Sequence, residues 1–251
     1  MTNRIDTLEA TLAALKRLEK KGIRSVYLEG VEVPAGVQAP APAPAPATPA
    51  ARTPPAPASA PAAPPEVVAG LAALAREVAG CTRCALHATR TQTVFGVGNP
   101  QAKLMFIGEA PGADEDAKGE PFVGRAGQLL NKIIVAMKLT REEVYIANIL
   151  KCRPPQNRDP LPAEVECCEA YLRSQIKLIQ PKYICALGRV AAHWLLKTDA
   201  PLGTLRTGNY TYEGIPVVVT YHPAALLRNP AFKVPCWEDM KKLMALLENA
   251  G

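Results

Sequence analysis

No stretch of this chain approaches the roughly 20 apolar residues that a membrane-spanning helix requires, so no membrane association is expected. A secretory segment is missing as well: the first residues are polar and charged, with no apolar h-region, and a cytoplasmic protein is expected. Strong charge of one sign is also lacking. The net charge of +6 over 251 residues permits a phosphate-bearing partner without demanding one. Histidine is scarce, with three in all, and two of them, His87 and His193, sit in no chemical motif. What the chain does have is a hydrophobic content of 48%, enough for a real core, and seven cysteines. In a cytosolic chain such cysteines point to metal ligands or buried thiols rather than disulfides.

Composition divides the chain into three parts. Residues 1–33 open with Ile5, Leu8, Leu12, Leu15 and Leu18 at three- and four-residue spacing, the pattern of an amphipathic helix over 4–21. A small hairpin over 25–33 would follow, and the helix is either ornamental or a docking element for a protein partner. Residues 34–65 are almost wholly Ala and Pro, which fits a semi-rigid linker and no regular fold. Residues 66–251 form the main domain. There, Lys103–Ile107, Val144–Leu150, Tyr183–Leu187 and Val217–Tyr221 read as buried strands. Helix-period stretches at 127–138, 163–179 and 189–196 alternate with them, and 237–247 closes the chain. Strands alternating with helices predict an α/β fold with a mostly parallel sheet covered on both faces.

Two strand ends carry unusual residues. Gly108-Glu109-Ala110-Pro111-Gly112 follows the first strand and Tyr221-His222-Pro223 the last. Open α/β sheets place their chemistry at such ends, so these segments predict one site built from both halves of the domain. Asn148 interrupts an apolar strand, and a buried amide there must find hydrogen-bond partners, in backbone or in a ligand. Phe122, in a Gly/Pro-flanked loop, is either an exposed stacking platform or a core plug.

Cys81-Thr82-Arg83-Cys84 is a tight C-x2-C pair that can bind a metal centre from a loop, and it equally suits redox or structural use. Cys152 and Cys168, with fifteen residues between them that include a Pro-rich loop, can supply a second pair. Spacing alone does not separate zinc from iron–sulfur, and Cys168 also reads as a buried apolar thiol. Cys167 points about 100° away from Cys168 on a helix, which makes joint ligation difficult. Cys185 and Cys236 read as core residues.

Taken together, these blocks resemble the iron–sulfur (family 4) branch of the uracil-DNA glycosylases. The resemblance covers residues 66–248 and rests on Cys81-x2-Cys84, Gly108–Gly112 with Glu115-Asp116, Gly119–Gly127, Asn148, Lys151-Cys152-Arg153-Pro154-Pro155, Cys168 and His222-Pro223-Ala224. It implies a three-layer αβα domain with a central four-stranded parallel sheet. A [4Fe–4S] cluster held by Cys81, Cys84, Cys152 and Cys168 is implied, with a mainly structural role. Also implied is a monofunctional, monomeric, nucleoid-associated enzyme that flips uracil from single- or double-stranded DNA and hydrolyses its N-glycosidic bond.

Carried onto this chain, the resemblance places His222 beside uracil O2, where a donor stabilises the leaving anion. The Asn148 amide matches uracil N3–H and O4, and Phe122 stacks on the base. Gly108, Ala110 and Gly112 border the pocket. Glu109 is the candidate for orienting water. The aspartate and the methyl-screening residue of the best-known uracil glycosylases are replaced by Ala110 and Gly112, which shifts catalysis toward leaving-group stabilisation. Leu226, Leu227 or Arg228 would fill the hole left by the base, and Arg125, Lys151, Arg153 and Arg158 would contact phosphates. Two other readings are a non-catalytic iron–sulfur protein of the same fold and a relative that cross-links to uracil-DNA. The second is disfavoured because residues 151–160 contain no histidine.

Overall fold

The computed structural model describes residues 63–249. The helix expected at 4–21, the hairpin at 25–33 and nearly all of the Ala/Pro linker lie outside the described residues. The described part opens with helix α1 (Pro65–Ala79), whose first position is a proline, where a missing N–H costs nothing. A six-stranded sheet follows, in the order β1-β3-β2-β4-β6-β5. Its four central strands are β2 (Leu104–Gly108), β3 (Tyr145–Asn148), β4 (Tyr183–Leu187) and β6 (Ile215–Thr220), and all four run parallel.

Short antiparallel strands add the two edges, β1 (Val97–Gly98) and β5 (Tyr210–Tyr212). Neither shows in the apolar pattern. The first has two residues, and the second is the outer arm of a hairpin. That hairpin turns through Glu213 and Gly214, both at positive φ, the geometry of a two-residue turn.

Strand side chains alternate between two cores, which is what covers both faces of the sheet. Met105, Ile107, Ala147, Ile184 and Val219 point to one side, where they meet α1, helix α4 (Pro162–Ile179) and helix α5 (Arg189–Leu196). Leu104, Phe106, Ile146, Cys185 and Leu187 point to the other, against helix α3 (Arg125–Ala136) and helix α8 (Lys233–Asn249). Three short helices complete the domain: α2 (Ala113–Lys118), α6 (Leu202–Leu205) and α7 (Pro223–Arg228). The expected αβα architecture is therefore present. Helix α3 starts two residues earlier than its periodicity suggests, and Lys138, at φ 62, stops it.

The chain leaves β2 toward β3 on one side and leaves β4 toward β6 on the other. Connections that diverge in this way open a crevice at the carboxyl ends of the strands. Just behind that edge a buried ion pair fixes the last strand. Asp239 of α8 accepts from Arg206 Nε at 2.7 Å and Nη2 at 3.0 Å, and from the Thr220 hydroxyl at 2.8 Å. Arg206 also covers the Tyr221 ring at 4.5 Å, and Tyr221 stacks on Phe232 at 4.5 Å. Removing one partner of a buried pair leaves an uncompensated charge. Arg206→Met is therefore expected to lower unfolding free energy in urea by about 3 kcal/mol. Thr220→Val, which removes one hydrogen bond, should lower it by only about 1 kcal/mol.

Candidate active site

Parallel pairing brings the four carboxyl ends together: Gly108 pairs with Asn148, and Leu187 with Thr220. The residues that follow line a single cleft of about 490 Å³. Glu109, Ala110, Gly112, Phe122, Asn148, His222 and Arg228 all face it, so the two lips expected from the sequence meet in space. Asp159, Gly188 and Arg189 line the cleft too. Gly108 lies behind its wall. A Cβ on Gly108 would collide with Asn148 Oδ1 and the Phe122 ring, so only glycine lets those side chains close in.

Asn148 sits 2% exposed at the end of β3, and its Oδ1 has no hydrogen-bond partner. A buried acceptor without a donor costs free energy, and here it belongs to a residue lining the cleft. Phe122 corrects the expectation of an exposed platform: it is 5% exposed and forms part of the wall. Its φ of 55 is the left-handed region, costly for an aromatic residue. The backbone there is held by close packing, since a Cβ on Gly127 would run into the Phe122 carbonyl. The Phe122 ring lies 5.6 Å from that of His222, tilted by 34°.

The last strand stops at Thr220, one residue short of the expected end, and His222 follows two residues later as the cap of α7: its Nδ1 accepts from Ala224 N at 3.2 Å. A nitrogen that accepts carries no proton, so the neutral ring bears its proton on Nε2. Burial, with Arg228 nearby, pushes the His222 pKa down to about 4 against a smaller opposing pull from Glu115. The ring is thus a neutral donor at physiological pH. Glu109 is shifted the other way: burial and then Asp159 push it up to about 7, while Arg189 opposes. Asp159 and Arg189 themselves pair at 2.9 Å at the cleft's mouth. A carboxyl near 7 is poised for proton transfer at neutral pH.

Glu115, which the sequence presents only as part of a block, ties the site together. One oxygen accepts from Val123 N and Gly124 N, both at 2.9 Å, and the other accepts from Gly112 N at 3.1 Å. It thereby binds the Gly108–Gly112 lip to the Phe122 loop. Its position three residues after Gly112 is the reciprocal half of a capping box, a spacing readable in the sequence. Gly112 is explained by the same contact, because a side chain there would meet the Glu115 carboxylate.

On the surface beside the cleft, α7 sorts its side chains. Leu226 is 2% exposed and packs inward, whereas Leu227 at 39% and Arg228 face solvent. Leu226 is therefore removed from the candidates for filling a vacated base position. Arg125 is exposed at the start of α3. Lys151, 1% exposed, is too deeply buried to reach a phosphate. Arg153 and Arg158 are engaged in the Pro-rich loop, with Asn157 and Glu164 respectively.

Cys81, Cys84, Cys152, Cys167 and Cys168 border a second, small enclosed space under α1 and α4. Donors are aimed at two of the sulfurs: Arg90 Nη1 reaches Cys152 Sγ at 3.2 Å, and Lys151 N reaches Cys168 Sγ at 3.3 Å. Cys167 turns aside to donate to the Arg83 carbonyl at 3.4 Å. Burial raises the Cys84 and Cys152 thiols and takes Cys168 to about 11. Among the described residues, no three His, Cys, Asp or Glu converge on a single-ion site. Cys185 and Cys236 lie in the core, away from this group.

The uracil DNA glycosylase superfamily model matches residues 95–241. A type-4 uracil-DNA glycosylase of Archaeoglobus fulgidus is 47% identical over 178 residues, covering 68% of this chain and 89% of that protein. A type-4 enzyme of Thermotoga maritima is 40% identical over 182 residues, covering 71% and 95%. A type-5 uracil-DNA glycosylase of Pyrobaculum aerophilum is 31% identical over 146 residues, covering 51% and 64%. With four strand ends closing on one cleft and this extent of likeness, the chain belongs to the uracil DNA glycosylase superfamily, in its type-4 branch.

Proposed function

We propose that the protein removes uracil from DNA by hydrolysing its N-glycosidic bond, leaving an abasic site and free uracil. It would act as a monomer on nucleoid DNA, single- or double-stranded. The observation that carries this reading is the orphaned Asn148 Oδ1, a buried acceptor lining the cleft that a neutral histidine donor also lines. Uracil offers what both lack: N3–H for Oδ1, and O2 for His222 Nε2–H. Base flipping into such a pocket is how enzymes reach a base that stacking would hide.

In the reaction, water oxygen bonds to C1′ as the C1′–N1 bond breaks. The electron pair leaves with uracil, and negative charge spreads to O2. His222 donates a hydrogen bond to that oxygen without transferring a full positive charge into the site. Glu109, when ionised, orients the water and takes its proton. Leu227 and Arg228 would enter the space the base vacates, while Arg125 contacts a phosphate. Phe122 confines the base by its fixed position in the wall.

The cysteine group fits a [4Fe–4S] cluster. Of the five cysteines that border this small space, Cys167 donates to a backbone carbonyl instead, N–H donors face two of the other four sulfurs, and the ligands of such a cluster bind separate irons. Cys81, Cys84, Cys152 and Cys168 would hold it. When bound, the cluster would supply a covalent cross-link between the segment after α1, the Cys152 loop and α4, outside the reaction steps.

His222→Ala should lower single-turnover cleavage of a uracil-containing oligonucleotide by about a hundredfold or more, since a leaving-group donor is lost. Adding Asn148→Ala should abolish it, and full activity in the double variant would refute the site. The pH profile follows from Glu109: cleavage should rise as pH increases through about 7, where the carboxyl ionises, and Glu109→Gln should lose that rise. His222 stays neutral through this range, because its ring takes up a proton only near pH 4, and so adds no step to the profile around pH 7. Replacing any of the four ligand cysteines with serine should remove the broad visible absorption of an iron–sulfur centre. Cys167→Ser should keep it.

A further inference from the structure

Lys151 is fully buried, yet none of the ion pairs among the described residues includes it. A buried ammonium is expensive, and its hydrogen bonds show what holds it. Nζ donates to the Asn148 carbonyl at 2.8 Å and to Gln175 Oε1 at 2.6 Å. Gln175 cannot turn its oxygen elsewhere, because its Nε2 is used by the Phe95 carbonyl at 2.9 Å and the Tyr145 hydroxyl at 3.3 Å. Gln175 therefore presents an acceptor to Lys151, and only a long donor side chain satisfies both it and Asn148.

The backbone of Lys151 is engaged as fully as its side chain. Its N–H points at Cys168 Sγ, its carbonyl accepts from Val94 N at 2.8 Å, and the next residue is Cys152. On the far side of Asn148, Ile149 N donates to the Gly108 carbonyl at 3.0 Å. The base-facing residue is thus gripped from one side by β2 and from the other by a lysine seated among the cysteines. A cluster held by four thiolates carries net negative charge, which would favour a cation buried at this position.

We propose that Lys151 is a positioning residue that couples the cysteine cluster to Asn148, holding the strand end so that the amide meets the N3 edge of the base. It acts through Asn148 and touches no substrate atom. The inference rests on the reading of Asn148 as base reader, and the test separates the two.

The measurement is the affinity of the holo protein for uracil against 3-methyluracil, which lacks the N3–H, by calorimetry, with visible absorbance reporting the cluster. Lys151→Met is expected to shrink the preference for uracil by about tenfold while the absorbance persists. In an Asn148→Ala background the same substitution should change nothing further, because the two residues act in series. Lys151→Arg, which keeps a donor, should restore part of the preference. Should Lys151→Met lose its cluster, Gln175→Leu, which removes one of the two acceptors that hold Lys151 Nζ, is measured in its place and should show a smaller loss of the same kind. An unchanged preference, or effects that add in the double variant, would overturn the proposal. If Asn148→Ala alone leaves the preference intact, the base-reading assignment fails instead.

Discussion

The site depends on one pairing: Gly108 of β2 beside Asn148 of β3, in parallel register. Because strand side chains alternate, a slip of one residue would send Asn148 to the other face and put a side chain where Gly108 is. Glycine is needed there since Asn148 and Phe122 occupy the room a Cβ would take. From that contact the cleft builds outward. The Gly108–Gly112 lip continues β2, Glu115 ties it to the Phe122 loop, and Phe122 abuts the His222 ring.

Much of this was legible in the sequence, because four apolar runs of strand length, three followed by Gly or His and one interrupted by Asn148, announce a parallel sheet with chemistry at its edge. Spacing marks Cys81 and Cys84 as a pair and leaves its use open, so the set of four cysteines is what the resemblance implies, while the helix angle sets Cys167 apart from Cys168. Other features depend on information that spacing does not carry. Leu226 and Leu227 are adjacent and chemically alike, and only the rotation of α7 buries one and exposes the other. Lys151 looks like any basic residue in a basic loop, and its buried partners, Gln175 on α4 and the Asn148 carbonyl, are visible only in the fold. Phe122 has the neighbours of an exposed loop residue, yet Gly127 lets the helix start close over its backbone. The edge strands are too short for periodicity to register.

A shared pattern runs through the polar interior. Asp116 accepts from Thr91 N, Glu115 from three backbone N–H groups, Asp239 from Arg206 and Thr220, and Lys151 donates to Asn148 and Gln175. Each of these groups fixes a loop or strand end near the cleft or the cysteines rather than adding to the two apolar cores. Apolar packing makes the layers, while these directional contacts set where their ends lie to a fraction of an ångström, the precision that positioning a reacting base requires.

Asn148 Oδ1 stands out against that pattern: among the described residues it and the Tyr212 hydroxyl are the buried side-chain atoms left without a partner, and of the two residues only Asn148 lines the cleft. On the proposed reading, a base with N–H at its edge would satisfy that oxygen, and a base with a lone pair there, such as cytosine, would set two acceptors against each other. The same atom would then select the damaged base on entry and be bared again when free uracil departs, so that discrimination and departure would draw on a single oxygen.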